Sequence, residues 1–450
     1  MKLPILFIAA IVVVTVMALH SGAAVSEAPA GASSPDLLMQ QGTQAFQRGA
    51  FEQALANWKE AAQLYERAGN KRNQIRALLQ EAQAAQALGQ VQPALQDLEL
   101  ALSLVQQVDD PVLMATVFGS LGHVYLANRQ TDAAAHYLDQ ALEIARQLNQ
   151  PALKAAVLNE IGILQAMETH YQEALAAYGE SVSLADEAGH KTLAVRARLN
   201  AARAAIQFAR HAEAKARLDE AAESLQGVAP SHDKAAALVN LGLGYADARH
   251  GLPDMSDVLL LRASDSLQEA ASLAERMEDT RTASYAWGYL GHLYETEHRY
   301  DEALSLTRRA VFAAQSAGVP ESLYRWQWQT GRVLAALNQL DEAITSYRSA
   351  SHTLEPIRST VAQAGQSPGS AAPVSVRPLY VEYADLLLHR AARMDEGEAS
   401  QGYLKAAQDA IEASKAVELR DYFRDECVDA AQSHIAKLEF ISKTTAVVYP

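Results

Sequence analysis

Residues 290–310 read LGHLYETEHRYDEALSLTRRA, and this stretch decides the fold. Small residues stand at Gly291, Ala303 and Ala310, with the larger Tyr294 beside the first of them. Two helices that cross closely need small side chains at the crossing, because a larger side chain pushes the helix axes apart. The stretch therefore predicts a hairpin of two helices in close contact.

The same pattern recurs along the chain. The residue equivalent to Ala303 returns at intervals of 40 residues, with a single interval of 49. In chain order these residues are Ala54, Ala94, Ala134, Ala174, Ala214, Ala263, Ala303 and Ala343. Upstream of them stands a second series: Gly42, Ala82, Gly122, Gly162, Ala202, Gly242, Gly291 and Gly331. Seven residues downstream stands a third: Ala61, Ala101, Ala141, Ser181, Ala221, Ala270, Ala310 and Ala350.

A regular period of this length indicates a repeat protein. One hairpin cannot bury its apolar face alone, so neighbouring hairpins must stack into a superhelix. The expected fold class is all-α: a solenoid of about eight hairpins over residues 36–358, followed by a helical C-terminal segment. Repeats 2 and 5 are degenerate, and repeat 6 carries an insertion near residues 252–260.

The pattern L-G-x-x-Y followed by E-A-L-x-x-Y-x-x-A resembles the tetratricopeptide repeat. It is represented by Leu121-Gly122 with Tyr125, and by Leu290-Gly291 with Tyr294 and Ala303. The resemblance covers eight repeats and implies a right-handed superhelix. The 40-residue period exceeds the usual 34 residues of that family, which implies longer helices or longer turns.

In the tetratricopeptide family the first helix of each hairpin lines a concave groove that binds peptides. The resemblance therefore implies exposed groove residues on one stripe of each first helix. An amide side chain there can both donate to and accept from a peptide backbone, and arginine can hold a carboxylate through two hydrogen bonds. The groove candidates are Arg76, His123, Asn159, Arg196, Asn200, Arg203, Asn240, His292, Arg325, Trp328 and Arg332. The alternative is that many of them are solvated residues forming local salt bridges.

Beyond the repeats, residues 359–375 form a Gly/Ser/Pro-rich loop, and residues 376–442 are expected to be mainly helical, ahead of a tail at 443–450. Residues 403–428 resemble the helical junction that precedes the caspase-like domain of CHAT proteins. The closing Ala446-Val447-Val448-Tyr449-Pro450 resembles the strand that opens that domain. The CHAT catalytic module itself is absent from this chain, so the resemblance implies either a truncated protein or a standalone remnant.

The N-terminus reads as a secretory signal peptide over residues 1–24. Lys2 precedes an apolar run at 3–19, and small residues suited to cleavage end at Ala24. Residues 25–35 form a flexible linker. The predicted location is the periplasm or the exterior; the alternative is a membrane anchor formed by residues 3–19.

Charge and motifs exclude several classes of function. The chain of 450 residues has 38 basic and 53 acidic side chains, a net charge of −15 that disfavours nucleic acid as a partner. It holds no Gly-rich phosphate loop, H-E-x-x-H or G-x-S-x-G. The single cysteine, Cys427, stands beside acidic residues that would raise a thiol pKa, so packing is its expected role.

His292, Glu295 and His298 are spaced at three residues on one helix, which admits a metal site. A structural zinc usually needs four ligands, so groove or turn roles are the expected ones and no metal or cofactor is predicted. The sequence thus predicts a non-catalytic scaffold for an acidic or extended polypeptide. The alternative is the regulatory arm of a CHAT-type peptidase.

Overall fold

The computed structural model describes residues 34–358, 361, 376–395 and 397–423, and within them every regular element is helical. The helices are α1 (Pro35–Gln47), α2 (Phe51–Arg67), α3 (Lys71–Ala87), α4 (Val91–Val105), α5 (Pro111–Ala127), α6 (Thr131–Gln147), α7 (Pro151–Met167), α8 (Tyr171–Glu187), α9 (Lys191–Gln207), α10 (His211–Gln226), α11 (His232–Ala248), α12 (Ser256–Arg276), α13 (Thr280–Thr296), α14 (Tyr300–Ala317), α15 (Pro320–Ala336), α16 (Leu340–Leu354), α17 (Arg377–Ala392) and α18 (Glu398–Phe423). The predicted all-α solenoid of tetratricopeptide-like hairpins is confirmed.

Helix length explains the 40-residue period. Helices α5 and α6 have 17 residues each, and the turns after them, 128–130 and 148–150, have three. The period therefore exceeds the usual one because the helices are long, while the turns stay short.

The small residues of the second series lie where the sequence predicts, at the contact between the two helices of a hairpin. A Cβ added to Gly162 would lie 2.5 Å from the Tyr178 ring, and one added to Gly122 would lie 2.6 Å from Leu138. Tyr178 and Leu138 are themselves buried. Each glycine thus makes room for a large side chain of the partner helix.

Three-residue turns between these helices use a left-handed residue. Glycine fills it at Gly49 (φ 77°), Gly69 (φ 66°) and Gly89 (φ 72°), and a side-chain-bearing residue fills it at Arg129 (φ 58°) and Ala209 (φ 57°). Left-handed backbone is unfavourable for residues that carry a Cβ. The fold therefore holds some turns in a conformation that their own residues disfavour.

The insertion of repeat 6 is short and partly helical. It forms two 3₁₀ turns, Arg249–Gly251 and Pro253–Met255, and then extends the start of α12, which has 21 residues. Gly251 lies against the ring of His211 in the preceding repeat. The extra residues are thus absorbed by a lengthened helix and by a contact with the hairpin before it.

The C-terminal helices α17 and α18 form a further helical pair against α16. Leu379, Tyr380 and Leu387 are buried in one core with Tyr347 and Leu354 of the last repeat. The guanidinium of Arg390 also donates to both oxygens of Asp341, at 2.8 and 3.0 Å. The predicted Gly/Ser/Pro-rich loop, Cys427 and residues 446–450 lie outside the described residues, apart from Val361.

The first hairpin returns to contact the middle of the chain. The ring of Phe51 on α2 lies 4.8 Å from that of His232 on α11, edge to face. Glu52 forms an ion pair with Arg281, which is 229 positions away in the sequence. The superhelix therefore closes on itself between hairpin 1 and hairpins 6 and 7.

Among the described helices none is both long and apolar enough to cross a membrane. The predicted signal peptide at residues 1–24 and the alternative anchor at 3–19 lie outside the described residues. So does the linker, except for Ser34 and Pro35.

Candidate functional site

The odd-numbered helices form the inner layer of the superhelix. Each of α5, α7, α9, α11 and α13 contacts the next odd-numbered helix, in addition to its sequence neighbours. Side chains on the free side of these helices line the lumen. We call this surface the inner face, and all eleven groove candidates belong to helices of this layer.

A common register relates these candidates. Counted from the small residue of the second series, they stand six residues before, two or three before, or one after. Positions separated by four and then three residues lie on one face of a helix. The candidates six residues before the small residue are Arg76, Arg196 and Arg325, and Tyr285 shares that position. The candidates two residues before it are Asn200 and Asn240, with Glu160 and Tyr289 at the same position, and those three residues before it are Asn159 and Trp328. The candidates one residue after it are His123, Arg203, His292 and Arg332.

The prediction that these residues are exposed was wrong for five of the eleven. Asn159 is 0% exposed, and Arg196, Asn200, Asn240 and Trp328 are between 5 and 7% exposed. The other six, Arg76, His123, Arg203, His292, Arg325 and Arg332, are partly buried. The physical reason is that inner helices pack side by side, so their polar groups bond to one another across neighbouring repeats.

Hairpins 3 to 5 bring three of the candidates, together with Glu160, into one hydrogen-bonded group, and a fourth candidate, Arg196, acts on Glu160 through its charge. His123 Nδ1 lies 2.8 Å from Glu160 Oε2, and Asn159 Nδ2 donates to Glu160 Oε1 at 2.8 Å. Asn200 Nδ2 donates to Asn159 Oδ1 at 2.9 Å. We call His123, Asn159, Glu160, Arg196 and Asn200 the central polar cluster.

The electrostatics of this cluster fix the charge of Glu160. Burial alone would raise the pKa of its carboxyl, but His123, then Arg196 and Asn159, outweigh burial and hold the pKa below its usual value. Burial likewise lowers the pKa of the Arg196 guanidinium, although Asp233 and Glu160 oppose that shift. The cluster thus holds a buried carboxylate that is paired with His123 and hydrogen-bonded to Asn159, which favours one fixed arrangement.

Hairpins 7 and 8 bring His292, Trp328 and Arg332 together in a second group. Arg332 donates to both oxygens of Glu295, at 2.7 and 2.9 Å, and lies 5.1 Å from the Trp328 ring. His292 Nδ1 lies 3.1 Å from Glu295 Oε2. Burial would raise the pKa of Glu295, but His292 and Arg332 lower it to about 2.

This second group speaks against the metal alternative for His292, Glu295 and His298. Both oxygens of Glu295 are taken by Arg332, and His298 Nδ1 bonds to the Tyr300 hydroxyl at 2.8 Å. Within the described residues no three His, Cys, Asp or Glu side chains are grouped as metal ligands. Glu295 therefore joins two neighbouring repeats through Arg332, and His298 belongs to the turn of its own hairpin.

Glu382 of α17 bonds to one residue of inner helix α15 and to one residue of outer helix α16 in the last repeat. It accepts hydrogen bonds from Trp328 Nε1 at 2.7 Å and from the Tyr347 hydroxyl at 3.0 Å. The C-terminal helical pair thus takes the indole N–H of Trp328, a group that the sequence predicted to contact a ligand.

Arg325 stands in aromatic surroundings. Three tyrosines, Tyr285, Tyr289 and Tyr324, lie near Arg325, and its guanidinium carbon lies 5.3 Å from the Tyr324 ring. Its Nε donates to the Glu321 carbonyl at 3.0 Å. In the described part of the chain, no carboxylate forms an ion pair within 4.0 Å of either Arg325 or Arg196.

The remaining candidates lie apart from these groups. Arg76 Nη1 reaches Asn73 Oδ1 of its own helix at 3.4 Å. Arg203 lies beside the Tyr178 hydroxyl. Asn240 is buried on α11, one repeat beyond Asn200 and in the same register.

Sequence reasoning missed Glu160, Glu295 and Glu382. Glu160 had a signal, because it shares the register of Asn200 and Asn240. Glu295 follows His292 by one helical turn, and sequence reasoning considered it as a metal ligand or as a groove residue, without its bond to Arg332. No sequence pattern indicated Glu382, because α17 lies outside the repeats and the repeat pattern does not predict how it packs on the last of them.

Comparison with known proteins gives one family match. Residues 113–187 match the family model described as Tetratricopeptide repeat. No curated protein matches the chain.

Several solved structures are similar at low identity. The crystal structure of a Rap protein complexed with competence and sporulation factor is 15% identical, covering 86% of this chain and 98% of that one, with a TM-score of 0.46. The apo form of the quorum sensor NprR from B. thuringiensis is 15% identical, covering 77% and 99%, with a TM-score of 0.40. A signal transduction ATPase with a tetratricopeptide repeat sensor from Pyrococcus horikoshii is 11% identical, covering 75% and 54%, with a TM-score of 0.41.

The family match spans α5 to α8, apart from the first two residues of α5, and thus covers hairpins 3 and 4. The same hairpin build, with small residues at the same register, continues on both sides of it. Residues 113–187 are therefore a tetratricopeptide-repeat segment inside a longer array of similar helical hairpins.

Proposed function

We propose that the chain is a non-catalytic scaffold that binds an extended peptide, or an extended segment of a partner protein, along its inner face. The observation that carries the proposal is the shared register of polar side chains on successive inner helices, from His123 through Asn200 to Arg325. A ligand with a repeating backbone is matched by a surface that repeats with the helices. An enclosed site for one small molecule would not need that repetition.

The ligand chemistry follows from what the polar groups lack. Arg196 and Arg325 have no ion pair within 4.0 Å among the described residues, whereas Arg332 is fully engaged with Glu295. A guanidinium that is largely desolvated gains from a carboxylate partner, which accepts its hydrogen bonds and balances its charge. We therefore propose a ligand with acidic side chains, which contact Arg325 and approach Arg196.

Selection from a displayed library of unstructured peptides tests this proposal. We expect enrichment of acidic, extended sequences, and weaker binding of a selected peptide by Asn200→Ala and by Arg325→Ala. The matched control is Gln63→Ala with Arg348→Ala, because both residues are exposed on even-numbered helices. Equal loss of affinity in the control, or no loss in the two inner-face variants, would rule out the inner face as the site.

The proposed location is outside the cytoplasm, in the periplasm or beyond it. The support is the sequence of residues 1–24, which has the order of a secretory signal. Cell fractionation of the full-length chain tests it. Recovery of an unprocessed chain from the cytoplasmic fraction would contradict it, and recovery of an unprocessed chain from the membrane would favour the anchor at residues 3–19.

A second candidate function is the regulatory arm of a CHAT-type cysteine peptidase. It is favoured by the resemblance of residues 403–428 and 446–450 to the region that leads into the caspase-like domain of that family. The genomic sequence past codon 450 discriminates the two candidates. Codons for a strand-containing domain with a catalytic His and Cys would support the arm, and an immediate stop would exclude it for a single polypeptide.

A further inference from the structure

The contact between hairpin 1 and hairpins 6 and 7 joins residues far apart in sequence. On one side it consists of Gly49 in the turn between α1 and α2, and of Phe51 and Glu52 at the start of α2. On the other side stand the N-terminal ends of two inner helices, at His232 of α11 and Asp279 to Thr282 around the start of α13. We call this contact the closure contact.

The receiving surface is assembled within hairpins 6 and 7 themselves. His232 Nδ1 lies 2.7 Å from Asp279 Oδ2, and Asp279 accepts the Thr282 backbone N–H at 3.0 Å as the N-cap of α13. The side chain of Asp279 is 0% exposed, and that of His232 is 5% exposed. The arriving hairpin therefore meets a rigid, polar surface whose charges are already paired.

Aromatic contacts form the apolar part of the closure contact. Phe51 is 1% exposed and meets the His232 ring edge to face at 4.8 Å, with Phe46 at 6.4 Å from the same ring. Aromatic pairs in this range of separation add to the stabilisation that burial gives. Phe46 and Phe51, on the two sides of the hairpin 1 turn, thus supply the apolar part of the contact.

Gly49 makes the closest approach. Its φ is 77°, and a Cβ added to it would lie 2.5 Å from the carboxyl of Asp279. Gly89 holds the same turn position one repeat later, with φ 72°, and nothing lies within 4 Å of its added Cβ. Left-handed backbone thus explains both glycines, but only Gly49 also needs its missing side chain for the closure contact.

An exposed ion-pair group borders the contact. Arg281 lies 3.2 Å from Glu52 across it, and 2.6 Å from Glu321 on its own side. Because Glu52 and Glu321 are exposed, these pairs orient the surfaces more than they stabilise them. The apolar contact and the fit at Gly49 therefore account for most of the closure.

We propose that hairpin 1 is a latch, which docks through Gly49 and Phe51 on His232 and Asp279 and closes the inner face sideways. With the latch shut, the inner face is reached only from the ends of the superhelix. Release of hairpin 1 opens the superhelix at its side, so that an extended chain can enter the inner face laterally and does not have to thread in from one end. The role of the latch in ligand entry rests on the proposed function, whereas the closure itself does not.

Gly49→Ala tests the latch, with Gly89→Ala as its matched control. Both variants place a Cβ on left-handed backbone, but only Gly49→Ala collides with Asp279. Spin labels on cysteines at Glu60 and Arg276, in a Cys427→Ser background, report the distance between hairpins 1 and 6. We expect one short distance in the parent and in Gly89→Ala, and a longer, broader distribution in Gly49→Ala. Equal distributions in all three proteins would overturn the latch.

Glu52→Arg gives a second variant that leaves the turn backbone unchanged. The new arginine lies opposite Arg281, so that two positive charges face each other across the contact. Glu66→Arg is the control, because Glu66 is an exposed residue of the same helix. We expect lengthening of the label distance for Glu52→Arg only. Lengthening in both would show a general charge effect and would count against the latch.

Access to the inner face is measured without any ligand. A cysteine at Arg203, again with Cys427→Ser, is labelled by N-ethylmaleimide and by a polymer-linked maleimide. We expect Gly49→Ala to speed the polymer reagent about tenfold, equivalent to about 1.4 kcal/mol, and to leave the small reagent nearly unchanged. No change for the polymer would overturn the gating role. Faster labelling with no peptide recovered from the library would uphold the latch while the proposed function fails.

Discussion

At the scale of single residues, the side chain that faces a helical glycine determines whether a larger residue fits there. Gly162 lies against Tyr178, and Gly179, on the partner helix, has nothing within 4 Å of an added Cβ. The sequence predicted the first relation from spacing alone, because small residues recur where helices cross. It could not distinguish the second glycine, which has no such partner.

Gly162→Ala should destabilise the protein, because the new methyl would overlap the Tyr178 ring at 2.5 Å. Overpacking of this kind costs about 1–3 kcal/mol. Gly179→Ala should instead stabilise it by about 1 kcal/mol, since alanine favours a helix interior over glycine. Urea unfolding followed by circular dichroism measures both, and a gain in stability for Gly162→Ala would contradict the crossing contact.

Glu81 predicts a pH dependence of stability. It is 6% exposed, and burial, with the nearby charge of Asp97, raises the pKa of its carboxyl to about 7. Burial also raises the pKa of Asp97 to about 6. The folded state therefore holds protons that the unfolded state releases between the usual carboxyl range and neutral pH. The unfolding free energy should fall as the pH rises through this window.

Glu81→Gln should remove much of that fall, because the amide stays neutral. We expect the variant to gain stability relative to the parent above neutral pH and to gain less in mild acid. Thermal unfolding of both proteins across this pH range measures the difference, with the exposed Glu99→Gln as the control on α4. A parent whose stability rises with pH through the same window would refute the buried-acid interpretation.

At the scale of helices and turns, the predicted hairpins are reproduced because small residues and period carry the information locally. Turn conformation is less well encoded. Ala209 and Gly89 hold the same turn position and both adopt positive φ, although alanine disfavours it. The helices on either side therefore impose the turn, and the turn residue adapts to them.

Ala209→Gly should stabilise the protein by up to about 1 kcal/mol, because glycine adopts left-handed backbone without steric cost. Ala212→Gly, in the exposed first turn of α10, is the contrasting change and should cost about 0.5–1 kcal/mol. Chemical unfolding midpoints compare the two. Destabilisation by both glycines would show that the turn at Ala209 is unstrained.

The C-terminal helical pair contributes a polar contact that no repeat pattern encodes. Removing the carboxyl by Glu382→Ala leaves Trp328 Nε1 and the Tyr347 hydroxyl without their common acceptor. A buried donor that loses its acceptor costs about 1–3 kcal/mol. We expect lower stability together with higher tryptophan exposure, measured by acrylamide quenching. Unchanged quenching would mean that α17 does not cover Trp328 in solution.

At the scale of the whole molecule, the array of hairpins follows from sequence, and the state of its inner face does not. The register predicted His123, Asn200 and Arg325 on one exposed surface, whereas Asn200 is buried and the other two are partly buried. Their burial depends on bonds between repeats, such as that from Asn200 to Asn159. The closure between Phe51 and His232 depends on superhelical pitch, which sums small rotations over many repeats and cannot be obtained from any one of them.

The proposed function requires that the inner face is the surface that binds an extended peptide. The most direct test places a photo-crosslinking residue at Arg203 on inner helix α9 or at Arg348 on outer helix α16, and exposes each protein to a peptide selected from the library. We predict a crosslinked product from position 203 and none from position 348. A product from position 348 alone would contradict the account and place the binding surface on the outside of the superhelix.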